Sequence, residues 1–187
     1  MMDPSRLRAR LAQILRERSV QKGDFVLASG QRSSFYIDAR VTTMSGEGLA
    51  IVGALGLNRL QARDWRPAVV GGLTLGADPV AYAIALAAAM QGLPINAFTV
   101  RKEAKSHGTG KRIEGNFTSG ARVVVVEDVI TTGRSALEAV AAVRAAGGVV
   151  AGLLAVVDRG EGGRAAIEAS GLEVEALLTV QDLGLTV

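Results

Sequence analysis

The 187-residue chain contains no cysteine, so neither a disulfide framework nor thiolate chemistry is open to it. Its longest apolar stretch, Pro79 to Met90, is too short to span a bilayer, and the N-terminus lacks a secretory hydrophobic region. A cytoplasmic protein without membrane partners is expected. Known nucleotide loops are missing too. Gly110-Lys111 is followed by Arg112, where a Walker motif needs Ser or Thr, and no G-x-G-x-x-G follows a strand. What is present is 49% hydrophobic residues and 23 glycines, which suits a compact α/β chain with many tight turns. The length allows one domain, residues 1–187, with a sizeable core. The net charge of +3 invites a nucleic-acid reading, but Arg101 to Arg112 alone holds five basic residues against one acid. The remainder is near neutral, which argues against a nucleic-acid footprint.

The chain is organised around Val123-Val124-Val125-Val126-Glu127-Asp128-Val129-Ile130-Thr131-Thr132-Gly133-Arg134-Ser135. Four consecutive valines suit a central strand of a parallel sheet covered on both faces. The strand is expected to end at the acidic pair. After Ser135, Leu137, Val140, Ala141 and Arg144 recur at helical spacing, and Gly147-Gly148 supplies a stop. Strand, tight loop and helix in that order put backbone N–H groups of Thr132 to Ser135 at a helix N-terminus, a setting that favours a phosphate. Carboxylates beside an anion site would repel the anion, so Glu127 and Asp128 are expected to accept from sugar hydroxyls or to act through a divalent cation. An acidic pair is ordinarily a solvated strand end; the Thr-Thr-Gly-Arg-Ser sequel outweighs that reading.

Along the chain, Asp3-Pro4 reads as an N-cap followed by proline at the first helical position. Leu7, Leu11, Ile14 and Leu15 mark the apolar face of a helix to about Ser19, with five arginines on its wet side. Phe25 to Leu27 and Ser33 to Asp38 read as a hairpin around Ser29-Gly30-Gln31, so that about residues 1–40 form a helix and a small hood. A helix is expected over 48–62 and a strand over 67–70. Gly71-Gly72-Leu73-Thr74-Leu75-Gly76-Ala77-Asp78 then reads as a second glycine-rich loop, ahead of a helix over 79–90. Strands at 95–100, 149–157 and 174–180 and a short helix to Ala169 complete the pattern. In an open α/β sheet, ligands bind outside the carboxyl ends of strands, so both glycine-rich loops should meet in one crevice. Arg101-Lys102-Glu103-Ala104-Lys105-Ser106-His107-Gly108-Thr109-Gly110 also follows a strand and carries the only histidine. Such a loop, cationic and hinged by glycine, could close over a polyphosphate and neutralise a leaving group.

The thirteen residues from Val123 to Ser135 resemble the phosphoribosyl-pyrophosphate (PRPP) motif of the type I phosphoribosyltransferases. Arg-Lys-Glu-Ala-Lys-x-His-Gly, Ile113-Glu114-Gly115, Ser29-Gly30 and Phe35-Tyr36-Ile37-Asp38 resemble the orotate phosphoribosyltransferases in particular, over nearly the whole chain. The resemblance implies an α/β fold with a mostly parallel central sheet flanked by helices and a small N-terminal hood. It implies transfer of a phosphoribosyl group from PRPP to orotate in pyrimidine (UMP) biosynthesis. Glu127 and Asp128 would hold the ribose hydroxyls, and Thr131, Thr132, Gly133, Arg134 and Ser135 the 5′-phosphate. Thr74, Leu75 and Gly76 would take pyrophosphate, with a strained or cis peptide near Leu73-Thr74. Arg101, Lys102, Lys105 and His107 would be the catalytic cations. Arg159, placed to pair bidentately with a carboxylate, would meet orotate together with Thr131, Phe35 and Tyr36. Magnesium (Mg2+) would be bound through PRPP rather than directly by protein, with Glu127 or Asp128 acting through water.

A homodimer is implied as well, with loop 101–112 reaching the neighbouring site. Some members carry lysines where this chain has Ala28 and Leu75, leaving more charge here to magnesium and the loop. Two alternatives share the central motif: a purine phosphoribosyltransferase, which needs no carboxylate clamp, and a PRPP-sensing regulator that binds nucleic acid through the basic first helix.

Overall fold

The computed structural model describes residues 3–26, 30, 32–103 and 111–186. Helix α1, Pro4–Arg18, starts where expected: Asp3 is the N-cap and its Oδ1 accepts from Ser5 N at 2.9 Å. Leu7, Leu11, Ile14 and Leu15 are buried on one face. The opposite face is not simply solvated, because Arg8 donates to Leu177 O at 3.0 Å and Arg10 pairs with Glu47 at 2.7 Å.

Strands β1, Val20–Val26, and β2, Arg32–Ile37, form an antiparallel two-stranded ribbon of their own. Strand β1 begins five residues before the apolar Phe25-Val26 pair announces it. Gln21 to Asp24 are all exposed, so no alternation marks them, and pairing with β2 is what makes them a strand. A short helix α2, Arg40–Thr43, leads into α3, Gly46–Ala62, whose N-cap Ser45 accepts from Gly48 N. Neither α2 nor the first turn of α3 has a periodic signal.

The main sheet has six strands in the order β5-β4-β3-β6-β7-β8: β3 Val69–Leu73, β4 Asn96–Val100, β5 Ile113–Gly115, β6 Arg122–Ile130, β7 Val149–Asp158 and β8 Val174–Thr179. All neighbours are parallel except the edge pair β4 and β5. Helix α4, Ala77–Met90, follows β3; α5, Arg134–Ala145, follows β6; α6, Gly163–Glu168, follows β7. A turn of 3₁₀ helix, Gln181–Leu183, comes last. The sheet divides the core into two layers. Val124, Val126 and Leu154 pack with α1, α3 and α4, whereas Val123, Val125 and Leu153 pack with α5 and α6. Each fully buried aliphatic side chain contributes about 1.5–3 kcal/mol, so the four valines of β6 weld both layers to one strand.

Three expectations shift. Gly71 and Gly72 are strand rather than loop: a Cβ at Gly71 would lie 2.2 Å from Phe98 O and one at Gly72 2.1 Å from Val126 O, so only glycine lets β3 sit between β4 and β6. Strand β6 runs on to Ile130 and carries the acidic pair within it, because pairing with β7 continues through Glu127 with Ala155 and Val129 with Val157. The buried face of α5 is Ala136, Ala139, Val140 and Val143; Ala141 and Arg144 face out.

Candidate active site

The carboxyl ends of β3, β6 and β7 are neighbours in the sheet, and their following loops share one cavity of 640 Å³. That volume is ordinary for a small-molecule site. Its lining draws on Thr74, Leu75 and Gly76 after β3, Glu127 and Asp128 in β6, Thr131, Thr132, Arg134 and Ser135 after it, and Arg159 after β7. The hood contributes Tyr36, Ile37 and Asp38, and Lys102 reaches in from the end of β4. A larger depression of 990 Å³ lies between Lys111 to Ser119 and the Ala141 to Ala146 end of α5, but it holds neither the acidic pair nor the turn after β6.

The acidic pair breaks the strand's alternation. Val123 and Val125 face α5, as does Ile130, while Val124, Val126 and Val129 face the other layer. Odd positions thus exchange faces with even ones across Glu127-Asp128, and both carboxylates line the same cavity. Their own oxygens serve the local backbone: Glu127 Oε1 accepts from Asp128 N at 3.3 Å and Asp128 Oδ1 from Val129 N at 2.9 Å. Glu127 is buried, and its Oε2 has no hydrogen-bond partner among the described residues. Burial, with the Asp128 side chain and its charge adding to it, pushes the Glu127 carboxyl well above the ordinary value, and the backbone N–H of Asp128 offsets only part of that rise. Gly76 brings the β3 loop against the pair, since a Cβ there would lie 2.5 Å from Asp128 Oδ1.

After β6 the chain turns through Gly133, at φ 78°, which is the N-cap of α5. Among the described residues no side chain caps this helix, so none of them occupies its first N–H groups with a capping oxygen. They face a recess of 70 Å³ bounded by Glu127 and by Val129 to Ala136. Backbone donors at a helix N-terminus suit an anion there.

On the β3 side the cis peptide joins Thr74 to Leu75, one bond beyond the expected place. The Thr74 hydroxyl donates to buried Asp78 at 2.6 Å, and Thr99 donates to the other carboxylate oxygen at 2.8 Å. Asp78 therefore steadies the loop without lining the cavity, a role its place in the first turn of α4 did not announce. On the β7 side Arg159 is 3% exposed, lies 4.6 Å over the Phe35 ring, and pairs with Glu161 at 2.7 Å.

The predicted residues divide accordingly. Thr74, Leu75, Gly76, Glu127, Asp128, Thr131, Thr132, Arg134, Ser135, Lys102, Tyr36 and Arg159 are together in the cavity. Gly133 bounds the recess. Phe35 lies beneath the arginine rather than on the wall, and Arg101 stands outside, 4.0 Å from Glu114. Lys105, His107 and Ala28 lie outside the described residues. Sequence reasoning missed Arg40, which lines the cavity and pairs with Asp38 at 2.8 Å; its hydrogen bonds hold the Asp38 carboxyl below the usual range. Asp38 sat in a recognised string, but Arg40 had no signal.

A family model, the phosphoribosyl transferase domain, matches residues 46–174. The chain is 51% identical over 178 residues to the orotate phosphoribosyltransferase of Mycobacterium tuberculosis, covering 95% of this chain and 97% of that one. The chain belongs to the orotate phosphoribosyltransferase family. Among solved structures it is similar to the M. tuberculosis orotate phosphoribosyltransferase in complex with PRPP, at 47% identity and a TM-score of 0.80, covering 96% of this chain and 99% of that one. A phosphoribosyltransferase from Corynebacterium diphtheriae superposes with a TM-score of 0.86 at 42% identity, over 96% of this chain and 99% of that one.

The raised Glu127 carboxyl gives this phosphoribosyltransferase a pH signature. The folded state keeps a proton that the unfolded chain loses near 4.5, so this group's stabilising contribution is complete below that value and is lost as pH rises through the folded value. Urea unfolding of the ligand-free protein across pH should show that decline, and Glu127→Gln should flatten it. An unchanged slope in the variant would mean that Glu127 is not its source.

Proposed function

We propose that this protein transfers the phosphoribosyl group of PRPP to a ring nitrogen of orotate, yielding orotidine 5′-monophosphate and pyrophosphate in pyrimidine biosynthesis. One observation carries the proposal: a single cavity joins an uncapped helix N-terminus, two adjacent carboxylates and a buried arginine. These match in turn a phosphate, a ribose diol and a planar carboxylate. The name borne by the relatives supports the same acceptor. A purine would leave Arg159 without a carboxylate, and a pure sensor has no need of that arginine.

In this reading the α5 N-terminus and Thr131 to Ser135 bind the 5′-phosphate. Glu127 Oε2, buried and unpartnered, accepts from a ribose hydroxyl, and Asp128 from its neighbour. The β3 loop, fixed through Thr74 and Asp78, orients the pyrophosphate. The C1–O bond to pyrophosphate breaks with its electron pair leaving on oxygen, and the C1–N bond to orotate forms as the ring nitrogen's proton is lost. The sugar carries cationic character between the two, so the chain's task is positioning and charge stabilisation, with no side-chain nucleophile. Lys102 stands at the cavity, and Lys105 and His107 are assigned to the same leaving group. Magnesium fits the site's hard oxygen donors. Among the described residues, however, no group of three or more His, Cys, Asp or Glu could hold a metal, so PRPP oxygens would complete the shell, with Glu127 or Asp128 acting through water. When bound it would offset the charge of the pyrophosphate.

The proposal extends to one domain, residues 1–187, since Phe35 and Ile37 of the hood belong to the core layer of α1. It extends to a cytoplasmic location, and no helix among the described residues is long and apolar enough to cross a membrane. It includes a homodimer. Tyr82, Leu86 and Met90 follow one another at a helical spacing on α4 and are 52%, 56% and 82% exposed, an apolar stripe that a second copy would cover. Sedimentation equilibrium should give twice the chain mass; a monomer at assay concentration would remove the dimer.

The direct test is orotate absorbance on mixing protein, orotate, PRPP and magnesium. Loss of the orotate band only when every component is present is expected; no loss, with PRPP still bound by calorimetry, would reject orotate and turn attention to purine bases. Lys105→Ala should lower kcat by about 10²-fold or more while changing PRPP affinity little. Equal turnover in that variant would take loop 101–112 out of the mechanism.

A further inference from the structure

Arg159 is gripped from the side away from the cavity. Its Nη2 donates to Ser33 Oγ at 3.1 Å and pairs with Glu161 Oε1 at 2.7 Å, and its plane rests over Phe35. Arg159 lines the cavity, whereas Ser33, Phe35 and Glu161 do not. The side chains of the ion pair are 3% and 8% exposed. The pair is nevertheless only half closed, because Arg159 Nε and Glu161 Oε2 are both buried without partners among the described residues. An arginine and a carboxylate left to themselves favour two parallel hydrogen bonds. The turn sets the offset: Asp158 Oδ1 accepts from Gly160 N at 2.9 Å, and Gly160 and Gly162 adopt φ of 72° and 86°, folding Glu161 back onto Arg159.

We propose that Glu161 is the resident counter-ion of Arg159 and a specificity-determining residue, presenting the guanidinium already half neutralised so that a substrate carboxylate is recognised without being trapped. The inference rests on reading Arg159 as the group that meets orotate's carboxylate. A buried guanidinium with no counter-ion would be costly to keep and would seize small anions indiscriminately. With Glu161 in place, a carboxylate entering the cavity that Arg159 lines is drawn to the guanidinium but works against a nearby negative charge. An analogue without the carboxylate gains no such attraction. The product keeps the same carboxylate, so the moderation that limits substrate affinity also eases product release.

The test is titration calorimetry of orotate, orotidine 5′-monophosphate and the neutral 6-carboxamide analogue of orotate against the full chain, Glu161→Gln and Arg159→Ala. Glutamine keeps the size and an acceptor oxygen toward Nη2 and removes only the charge. Glu161→Gln should bind orotate and the nucleotide about tenfold more tightly, with the carboxamide unchanged. Arg159→Ala should weaken orotate and leave the carboxamide nearly alone. Should Glu161→Gln not fold, Glu161→Ala is the second neutral variant with the same expected direction. Orotate held equally or less tightly by the neutral variants, with Arg159→Ala weakened, overturns the counter-ion role alone. Unchanged orotate binding in Arg159→Ala overturns the carboxylate reading itself, and the counter-ion role with it.

Discussion

Two carboxylates side by side at the end of an apolar strand repel each other and lose water, and the site is built to tolerate that. Glu127 and Asp128 sit where four valines have already committed β6 to the middle of the sheet, so neither can retreat to solvent without dismantling both core layers. Local relief comes from backbone N–H groups of Asp128 and Val129, which donate to the two side chains. It is incomplete, as the raised Glu127 carboxyl and its unpartnered oxygen record. The energy held there is recovered when a ligand brings hydroxyl donors or positive charge. The destabilised feature of the free protein is thus the attractive feature toward substrate.

Everything else in the cavity is placed relative to that pair. The β3 loop approaches Asp128 closely enough that position 76 must be glycine, and Asp78 fixes the same loop from behind through the hydroxyl of Thr74. The turn proposed to bind phosphate begins three residues after Asp128, and β6 runs to Ile130, so the spacing between acidic pair and turn is set by a stretch of extended chain. Arg159 closes the arrangement from β7, the neighbouring strand, where its main-chain N–H donates to Ile130 O at 3.0 Å. In the proposed reading, the three parts of one substrate and the head of the other would be held by loops at the ends of adjacent strands of one sheet.

The sequence revealed much of this because burial on two faces and helix N-termini have local signatures. The Val123–Val126 run, the Thr-Thr-Gly-Arg-Ser turn and the Asp3-Pro4 start are readable from residue types alone. What stayed hidden depends on pairing across the chain. Gln21 to Asp24 become strand only because Tyr36 and Phe35 lie opposite Gln21 and Lys22. Gly71 and Gly72 read as turn residues but serve close strand packing. The exchange of faces across Glu127-Asp128 has no composition signal. Arg40, at the start of α2, and Glu161, in the bend after β7, look solvated although each pairs with a residue two positions away, Asp38 and Arg159, because no local pattern says that those partners border the cavity.

In the proposed reading the two anion sites of the cavity use different chemistry, and that difference would carry orientation. A phosphate dianion is served by diverging backbone N–H groups and a helix dipole, which tolerate rotation of the phosphate about its ester bond. A carboxylate on a flat ring is served by a guanidinium whose plane is fixed by Phe35 below, Ser33 at one edge and Glu161 behind. Were both sites dipolar, either substrate could enter either end, and the ring nitrogen would meet C1 only by chance. With one loose site and one planar site in one cavity, a single arrangement would satisfy both, so the contact proposed to select the base would also aim it.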